Sequence, residues 1–161
     1  MKKFLKRLLC FFAICYVVGI VMNLGDQIAS GYNTKMQAGL EKQTVFGTKI
    51  VAYDDVKGVY SKDYVPFAYQ TGDPEAVGAV LHVDKSKTVS QMYSGGMQVR
   101  GNVIVVELVD CRTGQTINSR SFSPYFPARY KSGSSVNTKE SVIAKWVADE
   151  WAKYLAEQGI S

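Results

Sequence analysis

Residues 97–109 restrict the fold more than any other part of the chain. Met97, Val99, Val103 and Val105 fall on one side of an extended backbone and Gln98, Arg100 and Asn102 on the other, so the first half of this strand has one apolar face. From residue 103 both sides turn apolar: Ile104, Val106 and Leu108 join Val103, Val105 and Val109, and Glu107 is the only charge. A strand apolar on both faces belongs in the middle of a sheet, covered above and below. At ~3.3 Å per residue the run would reach roughly 43 Å, long for a small domain, which makes Gly101 the expected place of a bulge or bend.

The flanking segments supply the rest of a sheet. Residues 77–83, 88–93 and 115–122 read as strands, joined to this one by Asp84-Lys85-Ser86-Lys87, Ser94-Gly95-Gly96 and Asp110-Cys111-Arg112-Thr113-Gly114. Connections so short and rich in turn residues predict a run of four antiparallel neighbours. Residues 45–53 add a fifth strand, ending at the turn Asp54-Asp55-Val56-Lys57-Gly58. Residues 59–71 carry Tyr60, Tyr64, Phe67 and Tyr69, but Pro66 demotes them to an edge or an irregular crossing. The expectation is a mostly antiparallel, five-stranded, meander-type sheet.

One face of that sheet is expected to be covered by a C-terminal helix. Asn137 followed by Glu140 resembles a capping box, and Gly159 sits where a helix stops. Ile143, Trp146, Val147, Trp151, Tyr154 and Leu155 share one side of the helix, with Lys145, Asp149, Lys153 and Glu157 opposite. The two Trp and the Tyr read as core rather than as a ligand box. Glu150 lies inside the stripe and reads as a rim carboxylate. The fold class is therefore α+β, and 161 residues leave room for one such domain.

The chain opens on a different chemistry. Lys2, Lys3, Lys6 and Arg7 precede Leu8–Met22, which holds no charge. As a helix this core would rise about 23 Å, short of the ~30 Å hydrocarbon layer unless Leu24 and snorkelling Lys6 and Arg7 extend it. An uncleaved membrane anchor is the preferred reading and a cleaved signal peptide the alternative, since Gln27 or Ile28 stands where cleavage at Ala29 or Ser30 wants a small residue. Either way the basic opening keeps the N-terminus in the cytoplasm and sends the body across. The expected organisation is an anchor or signal over 1–24, with residues 4–24 in the membrane, a linker over 25–44, and an extracytoplasmic domain over 45–161. The expected location is the inner, cytoplasmic membrane as a single-pass protein, or the periplasm or exterior after cleavage.

Charge and cysteine usage narrow the function classes. The chain carries 19 Lys plus Arg against 14 acids, a net +5, but four of the positives belong to the opening segment and the first 24 residues hold one charge sign only. The remaining body is close to neutral, which argues against nucleic acid as a partner. Cys10 and Cys15 fall in the apolar run and leave Cys111 alone in the body, so an intermolecular disulfide through Cys111, and with it a homo-oligomer, stays open.

No catalytic, metal or cofactor motif is legible. His82 is the only histidine, which gives neither a zinc set nor a spare base for a serine triad. Asp54, Asp55, Asp63 and Asp73-Pro74-Glu75 lack the spacing of a calcium loop. A hydrolase built on Asp or Glu would require Glu107, Glu150, His82 or the early Asp residues to gather in one pocket. The aromatic and basic residues instead concentrate in 123–135, the link between the last strand and the helix, where Tyr125, Phe126, Arg129 and Tyr130 are of the types enriched in binding hot spots. Tyr64 and Phe67 read as a second half of the same surface. The expected function is a non-enzymatic envelope module, without cofactor or metal, that binds a protein or cell-wall component; a self-associating assembly component is the alternative.

Overall fold

The computed structural model describes residues 27–42, 46–129, 136 and 138–160. The predicted anchor or signal segment lies outside these residues. Among the described residues no helix is long and apolar enough to cross a membrane. The chain divides between Lys35 and Met36. In the first unit residues 27–35 are helical, with the Thr34 hydroxyl donating to the Ser30 carbonyl at 3.0 Å. Helical backbone extends over 27–40 in all (α1), inside the segment expected to be a linker, and the second unit begins at Met36, which is buried.

Beyond the end of α1, the described residues of the second unit form seven strands and a long helix: β1 (Lys49–Asp54), β2 (Val59–Ser61), β3 (Val77–Asp84), β4 (Thr88–Met92), β5 (Gln98–Asn102), β6 (Ile104–Asp110), β7 (Thr116–Phe122) and α2 (Glu140–Glu157). Five of the strands form one sheet in the order β2-β1-β3-β6-β7. The architecture is α+β, a mixed five-stranded sheet with a C-terminal helix.

The sheet departs from a meander in two ways. β1 and β3 run parallel, from Ile50 beside Ala79 to Asp54 beside Val83. β2 occupies the outer edge of β1 as its antiparallel hairpin partner, so the chain returns through 62–76, with 3-10 turns at Phe67–Tyr69 and Pro74–Ala76, and enters β3 in the direction of β1. Second, β4 and β5 leave the sheet and pair only with each other, and β3 pairs directly with β6. The reason is polarity. Thr88, Ser90 and Gln91 in β4 and Gln98, Arg100 and Asn102 in β5 could not be buried beside the apolar β6 without stranding polar groups, and both strands are largely exposed.

The long strand of the sequence reading is thus two strands. The break falls at Val103, whose N–H donates to the Lys87 carbonyl at 2.9 Å, rather than at Gly101. Gly101 stays in register opposite Val89, and its lack of a side chain serves packing: a Cβ there would lie 2.8 Å from the Pro124 ring and 2.9 Å from the Val136 carbonyl.

The core forms between α2 and one face of the sheet. The register sets Ile50 and Ala52, Ala79, Leu81 and Val83, Ile104, Val106 and Leu108, and Phe122 on that face, against Ile143, Trp146, Val147 and Trp151 of the helix. Each Val, Leu, Ile or Phe among them contributes about 1.5–3 kcal/mol when fully buried. β6 is an internal strand, but only this face is sealed; Val105, Glu107 and Val109 on the other are half-buried. α2 begins after Lys139, whose side chain makes no cap hydrogen bond, and ends before Gly159 at φ 73°. Asn137, the expected cap, lies outside the described residues.

Candidate functional site

The two ends of α2 are built differently, and the start of the helix is where the surface opens. On the side of the sheet edge lies a cavity of about 650 Å³, lined by Phe122, Arg120, Ser121 and Ser123 of β7 and its exit, by Tyr125, and by Thr138, Lys139 and Val142 of the helix start. On the other side lies a smaller one of about 320 Å³, between Tyr64, Lys85, Asn102 and Ile104 and the same helix turn at Thr138 and Glu140. Thr138 lines both, and Ile104 and Phe122 are cross-strand partners, so the two cavities flank one turn of helix.

The larger cavity combines an apolar floor with a cationic rim. Phe122 is buried and packs edge-on against Trp146 at 6.1 Å between ring centres. The Arg120 guanidinium lies over the Phe122 ring at 5.1 Å. Tyr125 is 72% exposed and Val142 50%, large apolar groups left in solvent at the cavity mouth. The sequence between Ser123 and this turn holds the link in place at described points: Pro124 packs at Gly101, the Thr138 hydroxyl donates to the Ser123 carbonyl at 3.2 Å, and the Tyr93 hydroxyl donates to the Pro127 carbonyl at 2.8 Å.

The smaller cavity is polar and its geometry is strained. Tyr64 sits at φ 63°, the left-handed region that a bulky side chain rarely adopts, and is the only described residue other than glycine to do so. Its backbone N–H donates to Glu140 Oε1 at 3.3 Å, and its ring lies 5.0 Å beneath Lys85 Nζ. Lys85 also donates to Asp54 Oδ2 at 3.2 Å. Burial pushes the Asp54 carboxyl up, but the Lys57 N–H and the Lys85 ammonium outweigh it and hold the group below the usual carboxylate range. Burial likewise pulls Lys85 down, and the Tyr64 and Asp54 groups more than reverse this, so the ammonium is held above its ordinary value and stays charged.

The sequence-selected residues distribute unevenly around this turn. Tyr125 lines the larger cavity and Tyr64 the smaller. Phe126 is half-buried and Arg129 exposed in the same link, but neither lines either cavity. Phe67 is 91% exposed in its 3-10 turn and lines neither. Tyr130 lies outside the described residues. Arg120, Lys139, Val142, Thr138 and Lys85 were not singled out by aromatic content. Charge distribution is the signal that marks two of them, Arg120 and Lys139: residues 111–139 contain Arg112, Arg120, Arg129, Lys131 and Lys139 and not one acid.

A second grouping lies on the half-buried face of the sheet. His82 Nδ1 is 2.8 Å from Asp55 Oδ1, and the His82 ring meets Tyr53 edge-on at 5.5 Å. Glu107 is the cross-strand neighbour of His82 and accepts a hydrogen bond from the Thr116 hydroxyl. Glu150 belongs to α2, which packs on the opposite face, so the carboxylates and histidine named for a hydrolase do not all converge. None of them lines either cavity. Among the described residues no group of three or more His, Cys, Asp or Glu side chains is placed to hold a metal ion.

Cys111 is half-buried, with its N–H donating to the Gly78 carbonyl at 3.0 Å. Burial, helped by the adjoining Asp110 carboxylate, pushes its thiol up to about 12, which makes it a poor nucleophile near neutral pH. No protein-family model, characterised protein or solved structure matches the chain.

Proposed function

We propose that the chain is a non-catalytic binding module, held at the outer face of a membrane by its N-terminal segment, and that it engages its partner in the cleft around the first turn of α2. One observation carries this reading. Two cavities meet at Thr138, and the larger is bordered by Tyr125 and Val142, exposed apolar side chains of the kind that a partner buries. The acids and histidine that a hydrolase would use lie elsewhere. Self-association through a Cys111 disulfide is disfavoured by the raised thiol.

Photo-crosslinking in cells tests the proposal. A photoreactive residue at position 125 or 142 is expected to give discrete adducts, while one at Lys153, exposed further along α2, gives none. Equal labelling at all three positions, or no adduct at 125 and 142, overturns it.

A further inference from the structure

We propose that the occupant of the cleft is an acidic polypeptide segment in extended conformation, which adds to β7 as a further strand and sets its carboxylates against Arg120 and Lys139. This rests on the cleft reading above and names what the cleft takes.

The outer edge of β7 carries no strand among the described residues. The two edges of the sheet contrast. β2 is three residues long, a blunt edge, whereas β7 runs for seven without a proline, about 24 Å of backbone able to pair with another chain. The charge that would ordinarily protect such an edge, Arg120, is laid over the Phe122 ring instead of standing free.

The register places Arg120 and Phe122 on the α2 side of the sheet, so alternate side chains of an added strand would project toward the larger cavity. That cavity has two cationic lining residues and no acidic one, and no ion pair among the described residues engages either Arg120 or Lys139. Arg129, exposed in the link that leaves Tyr125, carries the same sign. α2 adds to it: Lys139 gives no side-chain cap, and Glu140, the acid of the first turn, is turned to the Tyr64 N–H. The exposed Tyr125 ring and Val142 then suit apolar residues alternating with the acids. Backbone pairing would supply affinity and the alternating side chains the selection, as in other strand-addition sites.

The test is selection of random twelve-residue displayed peptides on the full-length protein in detergent. The enriched peptides are expected to alternate Asp or Glu with apolar residues and to bind more weakly as salt is raised. Arg120→Glu with Lys139→Glu should weaken a selected peptide by about tenfold or more while leaving the melting temperature unchanged. Synthetic copies N-methylated at every second backbone nitrogen discriminate pairing from simple charge attraction. One of the two alternating sets should lose binding and the other keep it.

Equal binding by both sets, or indifference to the charge reversal, overturns the proposal. So does binding of heparin or anionic vesicles with no peptide selected. Neutral or basic peptides that depend on Tyr125 and Val142 keep the cleft and remove the acidic strand. Acidic peptides indifferent to Tyr125→Ala and Val142→Ser show that the cleft itself was misplaced.

Discussion

The same helix closes the core at one end and leaves it open at the other. Around Trp151 every aromatic ring is engaged: Trp151 stacks on Tyr154 at 5.7 Å and on Phe46 at 6.1 Å, and its indole N–H donates to the Thr48 carbonyl at 2.9 Å. The Tyr154 hydroxyl donates to Asp110 Oδ2 at 2.5 Å, and Asp110 also accepts from the N–H groups of Arg112 and Thr113. At the start of the helix, Val142 and nearby Tyr125 face solvent across a cavity. Aromatic content is similar at the two ends. What separates them is whether polar tips and ring faces find partners within the chain, and that difference marks one end as scaffold and the other as surface.

The contrast can be broken most severely at the closed end. Trp151→Ala should cost about 3–5 kcal/mol in chemical denaturation, since it opens a cavity and leaves the Thr48 carbonyl without its donor. Gly78→Ala comes next, at about 1–3 kcal/mol, because a Cβ there would meet the Gly47 carbonyl oxygen at 1.9 Å and the Trp151 ring at 3.0 Å. A loss no larger than that of a surface substitution would show that this end is looser than its packing implies.

Acid probes the same end more gently. Burial pushes the Asp110 carboxyl up, but the Tyr154 hydroxyl and the Thr113 and Arg112 N–H groups outweigh it and leave the group below the ordinary carboxylate value. The folded state therefore releases this proton more readily than the unfolded chain. Its contribution is full above the unfolded carboxylate value of about 4 and is lost as pH falls through the lower folded value; Asp54 behaves alike. Denaturation midpoints measured from pH 7 to 2 should fall less steeply for the double variant Asp54→Asn, Asp110→Asn, which starts from a lower stability.

At the open end the expected effect on stability is smallest. Tyr125→Ala and Val142→Ser should each change unfolding free energy by less than about 0.5 kcal/mol, within the range of ordinary surface positions. Their cost is expected in crosslinking and peptide binding. Destabilisation at these positions comparable with Trp151→Ala would erase the distinction between the two ends.

Local patterning made some of this legible from sequence. The stripe on α2 correctly marks Ile143, Trp146, Val147 and Trp151 as buried, because periodicity reports which side of an element faces away from water. The doubly apolar run of β6 marks Ile104, Val106 and Leu108 but also predicts cover for Val105 and Val109, which are only half-buried. Periodicity does not report which strand lies beside which. The parallel pairing of β1 with β3 depends on β2 taking the outer edge, and the exclusion of β4 and β5 depends on the burial cost of their polar residues against a particular neighbour. Strand length alone makes Gly101 a point of bending, whereas its role is to admit Pro124, a residue distant in sequence. The cleft was half visible. Tyr64 and Tyr125 stand out as aromatics near Pro residues, but Arg120 and Lys139 become a rim only when the end of a strand and the start of a helix are brought together.

The bond from the Trp151 indole to the Thr48 carbonyl joins residues 103 positions apart. Its donor is synthesised well after its acceptor and after every strand of the sheet. Until then the sheet lacks its seal on the helix face, and a nascent chain stopped short of this tryptophan has an uncovered apolar surface and no means of closing it. Closure of the sheet is thereby tied to synthesis of the helix, and chains ended before Trp151 would present themselves to proteases as unfinished.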